Sequence, residues 1–409
     1  MNSRTLTSIT AMTVFAALAI SIRLSAQEQQ DHPIRTHQPT IITFDAPGAG
    51  TGPGQGTEGI AINPAGVIAG AYTDASGLNH GFLRATDGTF VTFDAPGAGT
   101  GPGQGTFVGG VGAITPAGAI VGAYIDASGV NHGFLRSPHG AFTSFDVPGA
   151  GTGSGQGTLA EDINPEGVIA GEYSDASNVF HGFVRTEDGT ITTFDVLGAG
   201  TGPTQGTFVA SVEGLTPAGA LAGYYTDQNG VNHGYVRAPH GAITTFDVPG
   251  AGTGPGQGTF VGGINPEGTV MSIYVDPSNT LHGYVRAPHG TITKFDIPGA
   301  GTGPGQGTFP EAINAPGTII GNYFDANGAS HGFIRVNHGA ITLFDVPGAG
   351  TGSGQGTVPF CNNPVDAITG WEIDANGVFH GFLRIPTAVT DGQTVEQGSA
   401  KFPPSDALG

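Results

Sequence analysis

Residues 246–268 read FDVPGAGTGPGQGTFVGGINPEG, and the 409-residue chain carries seven close copies of this stretch, opened by Phe-Asp at Phe44, Phe93, Phe145, Phe194, Phe246, Phe295 and Phe344. The steps between successive Phe residues are 49, 52, 49, 52, 49 and 49. A second phrase, VNHGYVR at residues 231–237, also has seven versions, one between each copy and the next and one after the last. A period near 50 residues fixes the architecture ahead of any local motif, because one supersecondary unit is being reused.

Working outward from that stretch, each unit divides into four short apolar runs separated by turn signals. In the first unit these are residues 59–63, 67–73, 78–84 and 89–95, with Pro64-Ala65-Gly66, Asp74-Ala75-Ser76-Gly77 and Ala85-Thr86-Asp87-Gly88 between them. Turns of about four residues ending in Gly join antiparallel neighbours. The unit is therefore expected to be a four-stranded meander, with strands A, B, C and D in chain order. The stretch PGAGTGPGQGT is the one connection long enough to cross between meanders. The chain then reads D, six full ABCD sets and a final ABC, so residues 41–46 have to complete the last unit by pairing with residues 379–385. That exchange of strands predicts a closed all-β ring, a seven-bladed β-propeller of four-stranded antiparallel blades. The extensions of three residues before Pro116 and Pro217 are expected to alter the crossing between units.

The glycine loop invites comparison with phosphate-binding loops, but those open a helix and carry a Lys before Ser or Thr. Neither follows here, so the loop is read as a compact connector. Glycine is abundant (74 residues) and only 11% of residues are charged, yet 38% are hydrophobic and recur at fixed positions, which predicts an ordered core. The net charge is −20, and seven of the twelve Lys and Arg are one Arg per repeat, from Arg84 to Arg384. No basic patch is left for phosphate backbones, so nucleic acid is excluded as a partner. The single Cys361 forms no intramolecular disulfide and is expected to be buried.

At the ends, residues 1–26 read as a signal peptide, with Arg4 ahead of an apolar run at 11–22 that is too short to span a bilayer. Residues 27–39 read as a linker, 40–386 as the repeat domain and 387–409 as a disordered tail. The expected location is secreted or periplasmic, with no membrane insertion after signal cleavage.

One His per unit, from His80 to His380, follows an Asp by six residues, as in Asp74 and His80. The hairpins place the Phe-Asp carboxylate at the same end, and the resulting Asp–His–Asp cluster is read as a structural network. A second His occupies the C–D turn of four units (His139, His240, His289, His338), too far apart around the ring to share a metal. No catalytic residue, metal site or cofactor is expected. Departures from the repeat are more informative. Four positions before the turn proline stand Ile60, Gly112, Glu161, Glu213, Gly262, Glu311 (where the Pro is displaced) and Phe360. Asp162 adjoins Glu161, and the last unit has Trp371 and Glu372 where the first has Ala71 and Tyr72. Because A strands lie nearest the axis, Glu161, Asp162, Glu213 and Glu311 are expected at a central channel. With Trp371 and Glu372 they form the candidate ligand site, suited to a cation or a sugar.

The His-Gly-Phe-Leu-Arg phrase, preceded by Gly-x-Tyr-x-Asp, resembles the bacterial extracellular HAF repeats, named for His-Ala-Phe. Here the middle residue is Gly, and His233 and His282 precede Gly-Tyr. The resemblance covers all seven units and implies an exported repeat protein of unassigned role, with no catalytic residues to carry over. The leading reading is a non-catalytic binding or surface-interaction module with a carbohydrate or protein ligand. The alternatives are a lyase or hydrolase acting on polysaccharide or lactone, with carboxylates at the channel, and a structural component of the extracellular matrix.

Overall fold

The computed structural model describes residues 38–210, 213–337 and 339–387, so the signal peptide, nearly all of the linker, the tail beyond residue 387 and His338 lie outside the described residues. Among the described residues there is no helix, and 29 strands form one continuous sheet system. The first full unit is strand A (Gly56–Ile62), B (Ile68–Thr73), C (Asn79–Arg84) and D (Phe90–Phe93), each antiparallel to the one before. The same pairing recurs from unit to unit. Strand A starts three residues earlier than its apolar run, because Gly56 and Thr57 at the end of the glycine loop already belong to the ladder.

The ring closes as the strand count requires. The first strand, Thr40–Phe44, is antiparallel to the last, Phe379–Ile385, with Ile42 opposite Leu383. A second closure lies beside it, where Gly56 makes a parallel bridge to Phe379, just as Gly105 does to Asn79 one unit on. Only glycine fits this bridge: Gly56 has φ 122°, and a Cβ there would stand 2.0 Å from the Phe379 carbonyl oxygen.

Each crossing loop is tied down by its own polar residues. Thr57 Oγ1 accepts from Ala46 N at 2.9 Å, Gln55 Oε1 accepts from Gly52 N at 2.9 Å, and Gln55 Nε2 donates to Ala75 O at 3.3 Å. With its backbone groups partnered, a loop this rich in glycine is held in one conformation. Between units the seam is aromatic and cationic. The Arg84 guanidinium sits 4.9 Å from the Phe44 ring centroid, and the same pairing ends the circuit at Arg384 over Phe344, 5.2 Å. All seven repeat arginines are used this way, which is why the chain has no basic face. Phe82, Phe134, Phe183, Tyr235, Tyr284, Phe333 and Phe382, one per C strand, are fully buried beneath it.

The extensions before Pro116 and Pro217 do not alter the crossings, whose Thr anchors are the usual ones (Ala95 N to Thr106 Oγ1 2.8 Å; Val196 N to Thr207 Oγ1 3.0 Å). The extra residues instead interrupt strand A and turn toward the axis. Val111 packs in the core with Ile62, Ile313 and Cys361, whose Sγ lies 3.8 Å from Val111 O. Glu213 accepts a hydrogen bond from Ile313 N, two units away. A three-residue excursion is long enough to fill the axial space that a sevenfold ring leaves open. Cys361 is buried, and its thiol also accepts from Ile62 N across the closure at 3.3 Å.

Candidate functional site

The outer strands repeat one motif. His80 Nδ1 lies 2.8 Å from Asp94 Oδ1, its Nε2 lies 3.6 Å from Asp74 Oδ2, and its ring stacks on Tyr72 at 4.7 Å. Burial acts to raise the Asp74 carboxyl, but hydrogen bonds from the Ser76 hydroxyl, Leu78 N, Ser76 N and His80 hold it down to about 2. The Asp thus caps its own turn while it orients the His. Five further units keep the whole arrangement or its close equivalent. In the seventh, His380 pairs with Asp45, the residue after the first strand, at 2.9 Å, a further tie across the closure. His139, His240 and His289 are solvated turn residues.

Around the axis the units differ. The position one residue after the strand A bulge is Ala61, Ala113, Asp162, Gly214, Gly263, Ala312 and Cys361 in turn. Asp162, buried to 2% exposure, sends its carboxylate into the fourth unit and accepts from Leu215 N at 2.8 Å. A Cβ at Gly112 would stand 1.8 Å from Asp162 Oδ1, so the second unit is small where Asp162 sits. Burial pushes Asp162 up to about 7 despite N–H groups of Leu215, Ile163 and Gly214. Glu161, half-buried beside it, is raised to about 7 by burial and by the Asp162 charge. Glu213 is raised by burial and by Asp162, and its backbone is left-handed, φ 50°.

A further carboxylate, Glu172, joins this group and was not singled out in the sequence. It lies on the B strand Ile169–Ser174, is raised by burial and then by Glu161, and accepts from Val209 N of the next unit at 3.3 Å. Its position reads Ala71, Ala123, Glu172, Tyr224, Ile273, Asn322 and Trp371 around the ring, which is the signal that aligning B strands supplies. Tyr224 starts from the same register one unit later. Its hydroxyl is raised by burial and then by the charges of Glu172 and Glu161.

From Tyr224 a run of aromatic rings crosses three units. Phe180 to Phe208 is 4.6 Å between centroids, Phe208 to Tyr224 is 4.9 Å and nearly parallel at 11°, and Tyr224 to Phe260 is 5.1 Å. All four residues are half-buried and so remain partly accessible. Trp371 makes a separate pair with Phe360 at 5.1 Å. Glu311 is buried on its own strand A, its carboxyl raised to about 8 by burial. Glu372 does not share Trp371's surroundings, because successive strand residues face opposite ways. It takes the place of the Tyr that stacks on His in other units, with Oε2 unpartnered, and burial raises it to about 7 against the pull of His380.

Comparisons with known proteins add likenesses of path. No family model matches the chain, and no curated protein matches it. Among solved structures, the chain is similar to a lectin from Burkholderia pseudomallei at 9% identity, over 80% of this chain and 98% of that one, with a TM-score of 0.49. It is also similar to the fucose-specific lectin from Aleuria aurantia (12% identity, 86% and 100% covered, TM-score 0.37). A puromycin hydrolase matches at 16% identity over 89% of this chain, which spans only 55% of that protein's chain, with a TM-score of 0.46. Each likeness is to that protein and carries neither ligand nor activity to this one; the closed ring described above rests on strand pairing alone.

Proposed function

We propose that the chain is an exported seven-bladed β-propeller of HAF-type repeats, secreted or periplasmic, that serves as a non-catalytic carbohydrate-binding module. In this reading each four-stranded unit is one blade. The observation that carries it is the ladder Phe180–Phe208–Tyr224–Phe260, with the charges of Glu172 and Glu161 acting on the Tyr224 hydroxyl. Sugar rings offer apolar C–H faces that pack on aromatic rings, and hydroxyls that donate to carboxylates, so this pairing of surfaces suits them. The outer His–Asp clusters are the same in unit after unit and serve the turns, which leaves the symmetry-breaking residues for a ligand.

The test is a glycan array with the chain lacking residues 1–26, followed by calorimetry on the best glycan. Tyr224→Ala is expected to weaken binding about tenfold or more, in line with the loss of an aromatic anchor, while His139→Ala leaves it unchanged. An array with no retained glycan, or a Tyr224→Ala protein that binds as well as the parent, would sink the carbohydrate reading. Turnover of the bound glycan that is lost in Glu161→Gln would overturn its non-catalytic part.

A further inference from the structure

The aromatic ladder does not stop at Phe260. In each unit the third residue of strand A meets one residue of strand B, and the pair in the fourth unit, Phe208 and Tyr224, supplies two of the ladder rings. The fifth unit has Phe260 beside Ile273, joined by a bond from Phe260 N to Ile273 O at 3.1 Å. The sixth has Phe309 opposite Asn322, and the seventh has Val358 opposite Trp371. Equivalent positions in a ring of repeats lie at one height, so these pairs follow one another along the end of the ring where the crossing loops lie. Phe309, Val358 and Trp371 are half-buried, as Phe260 is. Phe360 adds a further half-buried ring 5.1 Å from Trp371.

Carboxylates mark both ends of this arc. The third unit, before it, has Leu159 opposite Glu172, and the first unit, after it, has Glu58 opposite Ala71. At these two positions in all seven units, Glu172 and Glu58 are the only charged residues. Glu172 accepts from the N–H of Val209, the residue after Phe208, at 3.3 Å, which ties its carboxylate to the start of the arc. The strand B position is Ala71 and Ala123 in the first and second units, so no ring is offered there. From the fourth unit to the seventh the arc crosses three seams. With packed sheets about 10 Å apart it extends over roughly 30 Å, several times the length of one sugar ring. Side chains that are half-buried, instead of projecting, suit a ligand laid along them and not insertion into a lipid surface. A polyanion would meet an acidic group at either end.

We propose that this arc binds an uncharged linear polysaccharide along its chain, with Tyr224 at one end and Trp371 and Phe360 at the other. The inference rests on the carbohydrate reading and adds to it a ligand class and a second platform. Two platforms three units apart act as linked sites, so a chain long enough to touch both gains over one that reaches only the first. The probes are cello-, xylo- and laminari-oligosaccharides, each as disaccharide and hexasaccharide, with hexagalacturonate as the acidic counterpart. They are titrated by calorimetry into the chain lacking residues 1–26. At least one neutral hexasaccharide is expected to bind about tenfold or more tighter than its disaccharide, and hexagalacturonate to bind more weakly than it. Trp371→Ala gives this position the alanine of the first and second units and should fold. It is expected to remove the hexasaccharide's gain and leave the disaccharide unchanged, whereas Tyr224→Ala weakens both. Phe309→Ala, midway along the arc, is expected to weaken the hexasaccharide alone, and it decides if Trp371→Ala fails to fold. The proposal is overturned if no hexasaccharide binds more tightly than its disaccharide, if the gain survives Trp371→Ala, or if hexagalacturonate binds as tightly as the neutral chains. Glycans held through Tyr224 with no gain from length would sink this inference and leave the carbohydrate reading standing, while an array with no retained glycan sinks that reading itself.

Discussion

The His80 position is histidine in all seven units, whereas the Asp162 position is Ala61, Ala113, Asp162, Gly214, Gly263, Ala312 and Cys361. Both belong to the same repeat, yet only the first is repeated. At the periphery, each unit meets its neighbour through a seam of its own, so one solution is copied: an Arg over a Phe and a Gly at the parallel bridge in all seven units, and a His between two Asp in six. At the axis, seven equivalent positions share one small space. Seven Asp there would repel one another with little solvent to screen them, so the copies diverge and one unit's carboxylate fills its neighbour's gap. Symmetry in this ring is a property of pairwise seams and ends where all units meet.

The seam is most sensitive to an added methyl group. Gly56→Ala, Gly105→Ala and Gly157→Ala each put a Cβ 2.0–2.1 Å from a carbonyl oxygen. Each is expected to lose about 3 kcal/mol or more of stability by chemical denaturation, as severe backbone clashes do. Gly54→Ala, also left-handed but with nothing within 4 Å, should cost about 1 kcal/mol, the ordinary left-handed penalty. Costs that differed widely among the three seam glycines would break the sevenfold rule.

The axis is probed by pH. The Asp162 carboxyl lies near 7 in the folded chain against a usual value near 4, so the fold holds its proton more tightly than the unfolded chain does. Its contribution is full below about pH 4 and is lost as pH rises through about 7. Glu161, Glu172 and Glu213 act in the same direction. Asp162→Asn is expected to stabilise the protein by about 2 kcal/mol at pH 8 and to change little at pH 4.5, which urea unfolding at the two values would show. Asp74 runs the other way: held near 2, it supports the fold above about pH 4 and loses that support only as pH falls through about 2. An Asp162→Asn gain that was equal at both pH values would remove the buried charge from the account.

The seventh unit offers the smallest effect. Glu372 occupies the slot of a stacking Tyr and leaves Oε2 unpartnered, so Glu372→Tyr should restore the ring–ring contact with His380 and gain about 1 kcal/mol at pH 8. A loss of stability would mean that the slot in this unit has been reshaped around the carboxylate.

What the sequence made legible follows the same division. The Phe-Asp spacing and the leftover D strand lead to the pairing of Thr40–Phe44 with Phe379–Ile385, because strand count and turn chemistry are local and repeat seven times. The Asp–His–Asp cluster was legible for the same reason. The carboxylates Glu161, Asp162 and Glu213 stood out as departures, and the structure gathers them. Glu172 and the rings of Phe180, Phe208 and Phe260 did not stand out, because Phe recurs at the strand A position and its stacking depends on which residue the neighbouring unit presents. Glu372 looked like Trp371's companion because adjacency in sequence hides the alternation of a strand. The extensions before Pro116 and Pro217 were visible as insertions, but nothing local says that three extra residues will point inward.

Closing the ring with the first strand also orders events in time. Six units can each form from about 50 consecutive residues, with short loops and quick local pairing. The seventh is assembled from Thr40–Phe44 and the strands ending at Ile385, so its partners are synthesised at opposite ends of the repeat region. Until residue 385 has emerged, Phe44 and Asp45 wait without Gly381 and His380, and both faces of the seam stay open to other chains. Exchange of this first strand between two molecules is therefore the misassembly to which the closure exposes the fold, and the seam is open to it in the interval between making the first strand and the last.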